Sequence, residues 1–244
     1  MSLTLKLALS PLLVVQALRT RARLPRLPEA AGERHGSTGA GPPLRLLIVG
    51  DSSAAGVGVV SQRDALAGQL AARLAEACGA RVDWRVLAQS GLTTAQTLHL
   101  LQREPYWHAD VAVVVTGVND VVDQVPSHHA VCAREALANH LRNGWGVHHV
   151  GFAPLPPVHQ FPGLPQPLRW VAGSDARRHN AALARWAATR GDVSMIRIEM
   201  PINRGVMARD GFHPGEPVYR YCASAIAEHL ATTVWPLMSK EQAR

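Results

Sequence analysis

Leu44-Arg45-Leu46-Leu47-Ile48-Val49-Gly50-Asp51-Ser52-Ser53 is the stretch that decides the fold. Its first six residues are mostly apolar, turn β-branched near the end and stop at a glycine, which reads as a strand buried in a parallel sheet. Ser52 then stands at the carboxyl end of that strand. Open α/β sheets bind ligands in the crevice beyond the carboxyl ends of their strands, so a serine there is in a working position. Gly50, Gly56 and Gly58 allow the chain to turn tightly behind it.

Three other readings of this turn fail on spacing. A phosphate loop ends in Gly-Lys-Ser/Thr, and no lysine occurs between Lys6 and Lys240. A dinucleotide fingerprint needs a third glycine, but Gly56-Val57-Gly58 is followed three places later by Ser61. The Gly-x-Ser-x-Gly elbow of the α/β-hydrolases occurs nowhere in the chain.

Working outward, strands are predicted near 44–49, 82–88, 110–115, 147–153 and 193–198. Helices are predicted near 62–78, 93–103, 128–143, 175–190 and 217–234. This alternation predicts an α/β fold, a parallel sheet covered by helices on both faces. The second strand runs into Gln89-Ser90-Gly91, and the third into Thr116-Gly117-Val118-Asn119-Asp120. Gly91 offers an unshielded backbone N–H and Asn119 a side-chain amide, both able to donate to a developing oxyanion. Taken singly, Asn119 also reads as a turn residue and Gly91 as a helix-entry glycine.

Asp210 and His213 lie three residues apart in Asp210-Gly211-Phe212-His213. On one turn, the carboxylate can accept the imidazole Nδ1–H and leave Nε2 for a serine. The bland alternative is an aspartate capping a turn before Pro214 and a surface histidine. A serine hydroxyl is a poor nucleophile at neutral pH. It needs a base, an orienter for that base and oxyanion donors, and this chain presents a candidate for each, in order along the sequence.

That joint arrangement resembles the SGNH hydrolases, also called GDSL-like lipases and esterases, over most of residues 44–235. The resemblance implies that Ser52 is the nucleophile, that Gly91 and Asn119 join the Ser52 N–H in the oxyanion hole, and that His213 is the base held by Asp210. Ser53 stands where better-known members carry leucine, which leaves it as a rival nucleophile. The resemblance also implies a single-domain, flavodoxin-like three-layer α/β/α sandwich, with a mainly five-stranded parallel sheet in the order 2-1-3-4-5. The implied activity is hydrolysis of carboxylic esters through an acyl-enzyme, on lipid-like or medium- to short-chain esters. Carbohydrate O-acetyl groups and thioesters are the alternative substrates, and a membrane-associated binding protein without turnover is the contrasting class. No cofactor or metal is implied.

Composition agrees with an enzyme domain. A chain of 244 residues can bury a substantial core as one α/β unit. Three widely spaced cysteines, Cys78, Cys132 and Cys222, argue against a disulfide framework and for a reducing compartment. His128-His129 with Cys132, and His148-His149, lack a recognisable zinc spacing, so no metal site is expected. The expected location is cytoplasmic, and oligomeric state is left open. A net charge of +7 raises nucleic-acid binding, but no binding motif accompanies it.

Most of that charge is local. Residues 1–45 carry seven Lys/Arg and two Asp/Glu, a balance of +5 that leaves +2 for residues 46–244. Leu3 to Leu18 is mostly apolar but shorter than the roughly 20 residues a bilayer core requires, and Arg19, Arg21, Arg23 and Arg26 follow it. Two readings stand: a helix over residues 3–26 resting on the cytoplasmic face of a membrane, or a helix packed on the domain through a flexible Ala31 to Pro43 linker. The domain plan is an amino-terminal segment and linker (1–43), the hydrolase domain (44–238) and a polar tail (239–244). After the fourth strand, a proline-rich stretch carries Phe152, Phe161, Leu164, Leu168 and Trp170. These are expected either to wall an acyl pocket or to belong to a proline-stiffened connection.

Overall fold

The computed structural model describes residues 3–242, with side chains described from residue 6 to residue 238. The elements are α1 (Leu3–Arg23), β1 (His35–Thr38), β2 (Pro43–Gly50), α2 (Leu66–Cys78), β3 (Arg81–Ala88), α3 (Thr94–Leu101), β4 (Val111–Val115), α4 (Val118–Val122), α5 (Ser127–Trp145), β5 (His149–Phe152), α6 (Leu168–Ala187), β6 (Val193–Met195), α7 (Glu216–His229) and α8 (Trp235–Gln242).

The quoted stretch is the central strand. Leu46 and Ile48 of β2 point into one core layer, with Leu70 and Leu74 of α2 and Ile226 of α7. Leu47 and Val49 point into the other, with Leu137 and Leu141 of α5 and Leu183 of α6. Successive side chains of a strand face opposite ways, so an unbroken apolar run is what a strand with helices on both faces requires. Fully burying a Leu or Ile contributes about 1.5–3 kcal/mol, so β2 is a major contributor to the stability of the domain.

The sheet order is β1-β3-β2-β4-β5-β6. Strands β3-β2-β4-β5-β6 are parallel and reproduce the expected 2-1-3-4-5 order. The sixth strand is a departure: β1 pairs antiparallel with β3, from His35 opposite Arg85 to Thr38 opposite Val82. It lies inside the stretch read as a flexible linker. His-Gly-Ser-Thr carries almost no apolar signal, and its conformation is set by the open edge of β3, whose backbone groups it satisfies.

Helix α6 begins at Leu168, seven residues before the expected start, because the last part of the proline-rich stretch folds into its first turn. Of the polar tail expected over 239–244, residues 239–242 continue the backbone of α8 and residues 243–244 lie outside the described residues. Helix α1 packs on α6: Lys6 pairs with Asp175 at 2.7 Å, and Gln16 bonds to the Gln166 carbonyl at 2.7 Å and receives the Leu168 N–H at 3.1 Å. Leu7, Val14 and Leu18 remain exposed. No helix among the described residues is long and apolar enough to cross a membrane.

Between β5, β6 and α7, Ser194 Oγ lies 2.8 Å from both His149 Nε2 and His229 Nε2. One hydroxyl proton and one imidazole N–H serve this chain, so the two rings cannot both be protonated. Burial, with His229 adding to it and Asp192 opposing, pushes His149 down to about 4, and burial also lowers His229. The unfolded chain takes up these protons near 6.5, so the network's contribution is complete above that pH and is lost as pH falls towards 4. Denaturant midpoints measured across this window are expected to fall more steeply for the intact chain than for His149→Gln. Parallel curves would remove this account.

Candidate active site

The turn after β2 is shaped by its own backbone. Asp51 N–H donates to the Val115 carbonyl at 3.1 Å, Ala55 N–H to Asp51 O at 2.9 Å and Val57 N–H to Ser52 O at 2.9 Å. These bonds leave the half-buried Ser52 on the outside of the bend, at the carboxyl edge of the sheet. Asp51 is buried beneath it and accepts the Ser53 N–H at 3.0 Å. Burial pushes its carboxyl up to about 7, against that bond and the nearby His213. Ser53 is thus tied by its N–H to Asp51.

The candidate base sits on a separate tight turn. Asp210, 6% exposed, accepts the Phe212 N–H and the His213 N–H, both at 2.9 Å, and faces His213 Nδ1 at 2.6 Å. Burial alone would raise the Asp210 carboxyl, but the bonds from His213 and Phe212 outweigh it and hold the group below the usual carboxylate range. An ionised acceptor on Nδ1 selects the tautomer that leaves Nε2 free as a base.

Two contacts join the turns. Gly58, at φ +106°, lies so close to Pro214 that a Cβ would stand 2.1 Å from the Pro214 carbonyl oxygen. Tyr219 on α7 donates its hydroxyl to the Val57 carbonyl at 2.7 Å. The turn that carries Ser52 is therefore held directly against the chain that leaves His213. No hydrogen bond joins Ser52 Oγ to His213 Nε2 among the described residues. Such contacts are often long without substrate and tighten in the reacting complex.

Gly91 and Asn119 arrive from β3 and β4. Nothing lies within 4 Å of where a Gly91 Cβ would be, and its N–H makes no hydrogen bond among the described residues. Asn119, on α4, donates one amide hydrogen to the Leu92 carbonyl at 3.0 Å, which ties it to the Gly91 loop and leaves its second hydrogen available. Ser52, Gly91, Asn119, Asp210 and His213 all stand at the carboxyl edge.

The aromatic and apolar residues expected beside them separate. Phe152 is core: it is 1% exposed, at the end of β5, with its ring edge-on to Trp186 at 5.6 Å, because position 152 of the strand points into a helix layer. Phe161, Leu164 and Leu168 join a cluster with Phe212, and Phe161 meets Phe212 edge-on at 5.4 Å. Phe212 in turn lies 5.2 Å from the His213 ring. Gly163 N–H donates to Gly211 O at 2.9 Å, so the proline-rich segment braces the turn that carries Asp210 and His213. Trp170 is 41% exposed on α6.

Sequence reasoning passed over a buried polar group behind the loops that carry Gly91 and Asn119. Asp120 accepts the Thr94 N–H at 2.9 Å and the Thr94 hydroxyl at 2.6 Å. Arg134 of α5 lies 3.7 Å from Asp120, with both side chains at most 2% exposed. Burial lowers the guanidinium, and Asp120 opposes that. The only available signal was an arginine on the apolar face of α5, where burial demands a partner.

Comparison with known proteins places the chain in a family and a fold. A GDSL-like esterase of Mycobacterium tuberculosis is 28% identical over 246 residues, covering 88% of this chain and 74% of that protein. The crystal structure of a lipase from a goat rumen metagenome superposes with a TM-score of 0.62 at 20% identity, over 78% of this chain and 98% of that one. A carbohydrate esterase family 2 enzyme from Corynascus thermopiles, solved with its carbohydrate-binding domain, gives 0.63 at 16% identity, over 81% of this chain and 68% of that one. The family model for GDSL-like lipases and acylhydrolases matches residues 48–221, a span that holds both turns and the two loops between them. The chain is thus a member of the GDSL-like lipase/acylhydrolase family, an ester-hydrolysing enzyme with the SGNH fold.

Proposed function

We propose that this enzyme cleaves carboxylic esters through an acyl-enzyme on Ser52, with His213 as base and Asp210 as its orienter. Ser52 Oγ attacks the ester carbonyl and gives its proton to His213 Nε2. The oxyanion is received by the N–H groups of Ser52 and Gly91 and by the free amide hydrogen of Asn119. His213 then protonates the leaving alcohol, and water reverses the path to release the acid. The observation that carries this reading is the 2.6 Å contact between Asp210 and His213 on a turn braced against the one bearing Ser52. Lipid-like or medium- to short-chain esters are the proposed substrates, supported by the partly buried Leu168 and Phe212 at the edge of an apolar cluster beside the base, whose Phe161 and Leu164 are themselves buried.

Hydrolysis of p-nitrophenyl esters from acetyl to long acyl chains tests the substrate range. A maximum at medium or long chains is expected, and an acetyl-only profile would transfer the proposal to O-acetyl substrates. Asn119→Ala removes one oxyanion donor and is expected to lower kcat by about 10²–10³-fold, on the order of 3 kcal/mol. Unchanged turnover would mean that another group fills that role.

Helix α1 supplies a route to such substrates. Its exposed Leu7, Val14 and Leu18 are followed in the chain by Arg19, Arg21, Arg23 and Arg26, a combination complementary to an anionic lipid surface. Co-sedimentation with phosphatidylglycerol vesicles is expected for the intact chain and weakened by Leu7→Glu with Leu18→Glu. If the intact chain stays in the supernatant, α1 serves only to cover α6.

A further inference from the structure

The loop carrying Gly91 is anchored on both sides, and one anchor comes from outside the matched family region. On the far side, Asn119 holds the Leu92 carbonyl at 3.0 Å. On the near side, Glu29 Oε1 accepts both the Ser90 N–H and the Ser90 hydroxyl, each at 2.7 Å. Glu29 Oε2 pairs with Arg34, whose second amino group donates to the Ala88 carbonyl at 2.7 Å, at the end of β3. The segment bearing both residues is pinned in turn: Ala30 N–H donates to Ala55 O at 3.3 Å, Ala31 N–H to Val60 O at 2.9 Å, and Gln62 N–H to Ala31 O at 2.8 Å. Residues 29–34 therefore connect the exit of β3 to the turn that carries Ser52.

We infer that Glu29 is a positioning residue for the oxyanion hole, holding the Ser90–Gly91 peptide so that the Gly91 N–H faces the reacting carbonyl. The inference rests on the proposed role of Gly91. Glu29 touches no reacting atom. It acts through Ser90, whose backbone and side chain it grips with one oxygen, while Arg34 fixes the other oxygen and spans to β3. Ser90 and Gly91 are solvent-exposed, so core packing does not hold them, and Gly91 places no side chain against a neighbour. An exposed glycine loop without such a grip samples many backbone states, and a misplacement of about 1 Å at a reacting centre costs on the order of 10²-fold in rate. Burial works to raise the Glu29 carboxyl, and the Ser90 and Arg34 bonds outweigh it, so the group is held in its acceptor form.

The test compares the full chain with Glu29→Ala and Glu29→Gln, using p-nitrophenyl butyrate and an alkyl boronic acid that forms a tetrahedral adduct on the serine. Glu29→Ala is expected to lower kcat by about 10–100-fold with KM nearly unchanged, and to weaken the boronate in parallel. Glu29→Gln keeps an acceptor for Ser90 and is expected to restore most of kcat. Hydrogen exchange over residues 89–92 is expected to quicken in Glu29→Ala while the sheet stays protected. Should Ser52→Ala retain hydrolysis, the proposed chemistry fails by itself, and exchange alone then decides whether Glu29 holds the loop. Wild-type kcat in Glu29→Ala, a loss of kcat that Gln does not relieve, or unchanged exchange at 89–92 would each overturn the inference.

Discussion

Ser52→Ala is expected to lower kcat by about 10⁶-fold, on the order of 8 kcal/mol, and to abolish labelling by a fluorophosphonate probe. The size follows from the way the group acts as a unit. Without Ser52 Oγ, the pairing of Asp210 and His213 has no nucleophile to activate, and only binding and the oxyanion donors remain to accelerate attack by water. His213→Ala is expected to fall nearly as far, and the double variant no further. The fold should be unaffected, because Ser52 lies on the outer side of its turn and the bonds that shape the bend are made by backbone atoms. Ser53→Ala serves as the control. Its hydroxyl is outside the proposed path, so turnover within a few-fold of the parent is expected. A serine-dependent loss at position 53 would move the nucleophile by one residue.

Asp120→Ala carries the largest expected effect on stability, about 3–5 kcal/mol, and a lowering of Tm on the order of 10 °C. The substitution strips three partners together. Thr94 loses the acceptor for its N–H and the nearer of two acceptors for its hydroxyl, which keeps Thr116 Oγ1 at 2.9 Å, and Arg134 is left 1% exposed with no charge to face. Removing one member of a buried pair leaves the other uncompensated, which costs more than the pair itself contributes. Adding Arg134→Met to Asp120→Ala is therefore expected to recover part of the loss, because it replaces the stranded cation with an unbranched apolar chain. Thermal unfolding of the single and double variants decides the matter, and equal losses would show that packing around Arg134 outweighs its charge. Thr94 starts α3 just after Gly91, and Asp120 follows Asn119. Asp120→Ala is therefore also expected to depress kcat in the fraction that remains folded.

Much of this enzyme is legible in its residues alone. The unbroken apolar run from Leu46 to Val49 defines a strand buried on both faces, and glycine at its end places Ser52 at the carboxyl edge. The spacing of Asp210 and His213 puts carboxylate and imidazole on one turn. These are short-range properties, set by side-chain alternation and by the reach of a few bonds, so they survive without knowledge of the fold. Tertiary structure decided what depends on partners far away in the chain. His35–Thr38 becomes a strand only because β3 offers an open edge, and Glu29 acquires its hold on Ser90 only once the chain around it is pinned to the Ser52 turn. Phe152 and Phe161 are both buried aromatic residues, yet one packs in a helix layer at the end of β5 and the other in a separate cluster, against the ring beside His213. Which layer a side chain enters, and which buried charge it meets, is a consequence of packing between elements. Local periodicity carries no information about it.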